Sequence, residues 1–235
     1  MRARVNQVAL CLLAFALCVQ GQASATVLYD LDFTAPEIGS YSTVFGSPTV
    51  VSSFDGLTDA LLFHAVSSYD QIKLEVGAAA PGYQIGFDVV THGLRNSQYL
   101  FTALLDTPEI RSVDFHGGLN SIYVFQPFSG SGTLQSLVDD AVYHLDLTID
   151  LPANLWRISI NDVPCFSSPI NASDIGSIRF SLAPAILGAG DSPSTQVAID
   201  NIRVDAIPEP SAYALTLSAL VVLFGRRKPY PLPRA

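Results

Sequence analysis

Glutamate is nearly missing from the body of this chain. Between residues 26 and 206 only Glu37, Glu75 and Glu109 occur, while aspartate is abundant. Glutamate favours helices, whereas aspartate suits turns and calcium loops, so the imbalance argues against a helical fold. Basic residues are also few. Lys73, Arg95, Arg111, Arg157, Arg179 and Arg203 stand against twenty acids in that stretch, a balance of −14. Such a surface repels phosphate backbones and anionic headgroups, which excludes nucleic-acid binding. Cysteine is scarce: Cys11, Cys18 and Cys165. The first two lie in an apolar leader, so a processed chain keeps only Cys165 and has no internal disulfide. A lone exported cysteine pairs between chains or stays buried, and nearby Val163 and Phe166 favour burial.

The remaining absences concern chemistry. His64, His92, His116 and His144 are scattered with no short ligand spacing, so no imidazole metal site is expected. No Gly-x-Ser-x-Gly elbow and no phosphate-cradling glycine loop is present. No segment keeps helical periodicity for three turns, and no repeat suggests a propeller or solenoid.

What is present is period two. Tyr29, Leu31 and Phe33 alternate with aspartates, and Ile72, Leu74 and Val76 with charged residues. Further runs cover 83–89, 98–105, 111–115, 121–125, 143–151, 156–160, 178–182 and 197–204. The run at 98–105 is more continuously apolar, which predicts a central strand. Trp156 is in phase with Ile158 and Ile160 and is expected in the core. The segment 133–142 reads as a loop or a single helical turn. Glycine, proline and aspartate clusters punctuate the runs. Ten to thirteen short strands in about 180 residues imply an all-β, two-sheet antiparallel sandwich, with a jelly roll as the leading topology.

The chain ends carry a different code. Arg2 and Arg4 precede an apolar run from Val8 to Val19, and Ala23-Ser24-Ala25 supplies a small-x-small cleavage site. This is a signal peptide over residues 1–25, cleaved after Ala25; its apolar run of about 12 residues is short for a membrane span. The β-sandwich domain is expected over 26–206. The last segment, 207–235, holds Pro208-Glu209-Pro210, an apolar run from Ala212 to Gly225, and the basic cluster Arg226-Arg227-Lys228. As a helix the apolar run is about 21 Å long, against a bilayer core of about 30 Å. Snorkelling of the arginines lets it span, with the cations cytoplasmic.

That tail resembles the PEP-CTERM sorting signal of Gram-negative bacteria that make extracellular polysaccharide. The resemblance implies an exosortase-type processing enzyme as partner, a membrane intermediate held by the C-terminal helix, and a final place at the cell surface or in the matrix. Within the domain, Tyr143-His144-Leu145-Asp146-Leu147 followed by Trp156-Arg157-Ile158-Ser159-Ile160-Asn161-Asp162-Val163 looks like a hairpin of concanavalin A-like and laminin G-like sandwiches. Residues 28–33 and 198–204 resemble the paired first and last strands of such domains. This second resemblance implies a structural calcium between Asp32 and Asp200, and a slip in alternation at Asp200-Asn201 predicts a bulge that re-aims Asp200.

Three functions follow as expectations. The first is a non-enzymatic surface or matrix protein. The second is a carbohydrate-binding module for extracellular polysaccharide, using exposed aromatics drawn from Tyr41, Tyr69, Tyr99, Tyr123, Phe125, Phe128 and Trp156. The third is a glycan hydrolase or lyase. Its case is weak, because Glu37, Glu75 and Glu109 are isolated and Asp146 with Asp150 reads as a solvated strand face. No catalytic residue is assigned.

Overall fold

A computed structural model describes residues 25–34, 39–65, 69–77, 80–108, 110–126, 132–185, 192 and 194–208. The expected signal peptide up to Ser24, and Glu209, Pro210, the apolar run and the basic cluster after Pro208, lie outside the described residues. Among those described there is no helix, and none long and apolar enough to cross a membrane. All the strands fall in one compact unit, Thr26–Ile207.

Fifteen strands form among the described residues. They are β1 (Thr26–Leu31), β2 (Ser42–Phe45), β3 (Thr49–Phe54), β4 (Leu57–His64), β5 (Asp70–Glu75), β6 (Gly82–His92), β7 (Tyr99–Asp106) and β8 (Arg111–His116). Then follow β9 (Ser121–Phe125), β10 (Gly132–Ser136), β11 (Val142–Asp150), β12 (Leu155–Ile160), β13 (Val163–Pro169), β14 (Ser177–Pro184) and β15 (Gln196–Ile207). One sheet has eight strands in the order β13-β12-β11-β6-β15-β4-β3, with β1 also on β15. The other has seven, ordered β10-β9-β8-β7-β14-β5-β2. Pairing among them is antiparallel, so the fold is an all-β two-sheet sandwich.

The alternation explains the layers. Every second residue faces inward. Along β11 the inward side chains Tyr143, Leu145, Leu147 and Ile149 are buried, and along β7 they are Tyr99, Phe101, Ala103 and Leu105. Aromatic rings join the two sheets. Phe101 lies 5.7 Å from Phe63, and Phe180 lies 5.0 Å from Phe87. These edge-on contacts suit the ring quadrupoles. Trp156 is fully buried against Phe166, as its phase predicts. As expected, β7 stands at the centre of its sheet and β1 pairs with β15.

Three expectations need correction. The chain makes more strands than ten to thirteen. Residues 132–136 form β10 on the edge of the seven-stranded sheet, where residues 133–142 read as a loop or helical turn. Cys165 is exposed, because β13 is an edge strand and its bulge turns the side chain away from the core. Its neighbours in sequence carry no sign of that edge.

Candidate functional site

Two regions combine polar burial with function-bearing side chains. The first is the outer face of the seven-stranded sheet. Registers place Thr133, Tyr123, Asp114, Thr102, Ser181, Gln71 and Phe45 in one row across β10, β9, β8, β7, β14, β5 and β2. From Tyr123 to Phe45 the row spans about 24 Å at the usual strand spacing. Both ends are aromatic. Phe45 is exposed and lies 6.1 Å from the exposed Tyr69. Tyr123 is half-buried, and Phe125, two residues on, is exposed. Sequence placed Tyr123 and Phe125 on one face without telling which face it was. The burial of Ile122 and Val124 shows that it is the outer one.

The Phe45 end is held by a buried carboxylate. Asp70 accepts hydrogen bonds from the backbone N–H groups of Ser47 (3.1 Å) and His64 (2.8 Å). Gly46 sits between Phe45 and Ser47 at φ +71°, and a Cβ there would strike Asp70 Oδ1. The turn thus requires glycine both for its dihedral and for the close approach.

Next to Tyr123 in the row is Asp114, 8% exposed. Burial pushes its carboxyl up to about 6, although hydrogen bonds to Ser112 and Thr102 pull the other way. Its Oδ1 has no hydrogen-bond partner among the described residues, and neither has buried Ser121 Oγ on the same face. Unmet buried oxygens of this kind are uncommon in folded proteins and invite a donor.

The second region is an acidic seam on the eight-stranded sheet. One edge of β15 is shared: β4 pairs with it at Gln196–Ile199, and β1 pairs with it at residues 202–206. Between those partners lies the expected bulge, where register slips after Asp200 and Asn201 takes φ +52°. Asp200 is buried. Its desolvation raises the carboxyl above the usual range against the pull of the Asn201 N–H, and the charges of Asp88, Asp32 and Asp59 add to the rise. Asp32, just past the end of β1, thus acts on Asp200 through its charge. So do Asp59 and Asp88, which sequence reading missed. Nothing local marked them, since both reach the seam only through strand pairing. Asp88 is further engaged by Asn201 Nδ2 (2.8 Å) and His144 Nδ1 (2.6 Å). Burial opposes the charged form of His144, yet the Asp88 bond and the charges of Asp88, Asp146 and Asp162 raise its pKa. Asp146 lies on this outer face with His144, its Oδ2 3.4 Å from Nε2.

Of the remaining expected site residues, Pro208 directly follows the last paired residue, Ile207, which faces Gly82. Ala25 is exposed just before β1. Ala23, Glu209, Pro210, Arg226, Arg227 and Lys228 lie outside the described residues.

The sandwich has known counterparts. A sialidase superposes with a TM-score of 0.55 at 11% identity over 83% of this chain and 20% of its own. A botulinum neurotoxin serotype C1 binding domain gives 0.57 at 10% identity, over 83% of this chain and 52% of that one. The receptor binding domain of botulinum neurotoxin D gives 0.54 at 10% identity, over 83% and 53%. The chain thus spans about a fifth of the sialidase and half of the toxin domains. At such identities the likeness is one of fold, that of a jelly-roll β-sandwich. No protein-family model matches the chain, and neither does any curated protein.

Proposed function

We propose that this protein is an exported, non-enzymatic β-sandwich that binds neutral extracellular polysaccharide on the outer face of its seven-stranded sheet. One observation carries the reading. Aromatic side chains stand at both ends of one outer-face row, Phe45 with Tyr69 at one end and exposed Phe125 beside half-buried Tyr123 at the other, and Asp114, whose buried Oδ1 has no hydrogen-bond partner among the described residues, lies next to Tyr123. Sugar rings offer apolar faces to aromatic side chains and hydroxyl donors to a carboxylate. The length of the row suits an extended glycan, and the balance of −14 selects against an anionic one.

Hydrolysis finds less support on this face. Asp106, next along it, is four residues from Thr102 on β7, about 13 Å away at the usual rise, and is paired with Arg179. A glycosidase pair needs about 5–9.5 Å. By the resemblance of its tail, the chain reaches the surface through an exosortase acting at Pro208-Glu209-Pro210.

The test is a glycan array probed with the exported chain. Binding of a neutral polysaccharide is expected, with Phe45→Ala and Tyr123→Ala each weakening it about tenfold. Absence of any neutral ligand, or unchanged affinity in both variants, refutes the assignment. Release of reducing ends from the bound polysaccharide would instead favour an enzyme.

A further inference from the structure

Away from both regions, three exposed side chains from distant segments converge. Asp55 opens the turn between β3 and β4, His92 closes β6, and Asp140 stands just before β11. His92 Nδ1 lies 2.7 Å from Asp140 Oδ1 and 3.4 Å from Asp55 Oδ2. The three atoms all fall within 4.8 Å of one another. A transition-metal ion about 2.1 Å from each ligand leaves neighbouring ligands about 3.0–3.4 Å apart, so only small shifts separate this arrangement from a coordination shell. We propose that Asp55, His92 and Asp140 form a binding site for a divalent first-row transition metal such as Zn²⁺. An imidazole nitrogen joined to two carboxylates suits Zn²⁺ or Mn²⁺, whereas Ca²⁺ and Mg²⁺ prefer shells of oxygen alone.

Each ligand is anchored independently of the others. Asp55-Gly56 is a two-residue hairpin loop, with Phe54 paired to Leu57 and both loop residues at positive φ. The Asp140 N–H donates to Thr91 O at 2.7 Å. The adjacent carboxylate of Asp139 accepts from Thr91 Oγ1 and the backbone N–H groups of Leu94 and Arg95, which ties this turn to the end of β6. The His92 ring meets Phe54 edge-on at 6.3 Å. Phe54 in turn packs on a small outer apolar cluster of Leu57, Ala60, Leu62, Val90 and Ala198. The ligands are therefore held before any ion arrives, which lowers the ordering cost of binding. All three are exposed, so further coordination positions face solvent and can take water or a ligand oxygen.

The Asp140 hydrogen bond, with the charges of Asp140, Asp55 and Asp139, raises the His92 pKa despite some desolvation. A metal ion displaces the ring proton, so affinity falls as the solution is acidified.

The experiment is isothermal titration of the exported chain with ZnCl₂ and MnCl₂ at pH 7.5 and pH 6. One ion per chain is expected, bound more tightly at the higher pH. His92→Gln and Asp55→Asn each weaken binding at least tenfold; asparagine tolerates the positive φ of residue 55, so that variant decides the matter if the His92 variant fails to fold. Lack of stoichiometric binding by both ions overturns the proposal. So does unchanged affinity in a folded variant, which would place the ion elsewhere, for instance at Cys165.

Discussion

At the scale of single residues, Asp114 shows how an aspartate in a plain alternating run can become unusual. The run Arg111 to Phe115 marks a strand, and alternation puts Asp114 on the face away from Val113 and Phe115. Sequence expects such a residue to be solvated; burial by neighbours across the sheet is a tertiary event. Its sign in a stability profile follows. The folded carboxyl, at about 6, binds a proton more readily than the unfolded one, at 3.8. Between those values the folded state holds more protons, so stability falls as pH rises through that window. Asp114→Asn should remove this slope and raise stability at pH 7 by on the order of 1–3 kcal/mol, while weakening glycan binding. Urea melts of both proteins at pH 4.5 and pH 7 measure it; parallel pH profiles would show that Asp114 is not the titrating group. Cys165 makes the converse point. Its apolar neighbours suggested burial, yet the edge position of β13 decides exposure.

At the scale of elements, the strands read from sequence are those that bury a full face, such as β7, β11 and β12. Those missed include the edge strands β2, β3, β10 and β13, whose side chains are largely exposed or half-buried, and β4, whose continuous buried run from Ala60 to Phe63 shows no alternation. An edge strand loses the in–out contrast that period-two reading needs. The seam where β15 exchanges β4 for β1 is likewise invisible in one dimension, although the slip at Asp200-Asn201 announced its bulge. Asp200 feels the charges of Asp88, Asp32 and Asp59 there, and carboxylate oxygen is the donor calcium prefers. We propose that Asp32 and Asp200 hold a structural calcium that screens this repulsion. Millimolar calcium should raise the melting temperature relative to chelator, and Asp200→Asn should abolish the rise while His92→Gln keeps it. No response to calcium would leave the seam as an acidic cluster alone.

At the scale of the whole molecule, a closed sandwich is bracketed by two segments outside the described residues. Strand β15 runs to Ile207, and Pro208 follows at once. Proline cannot donate to a ladder, so the strand stops where the expected sorting motif begins. Replacing Pro208, Glu209 and Pro210 with alanine should leave an unprocessed, membrane-held chain that still folds; normal maturation on an immunoblot of cell fractions would contradict the exosortase reading. What the sequence by itself determined is the class of fold and the charge. Alternation, composition and short motifs are local properties, written within a few residues of one another. Only the tertiary structure decided which strands pair and in what register. Register brought Asp55 to His92 and Asp140, and set Asp114 next to Tyr123. These partners lie tens of residues apart, and pairing at such distances depends on packing across the whole sandwich, for which no local pattern exists.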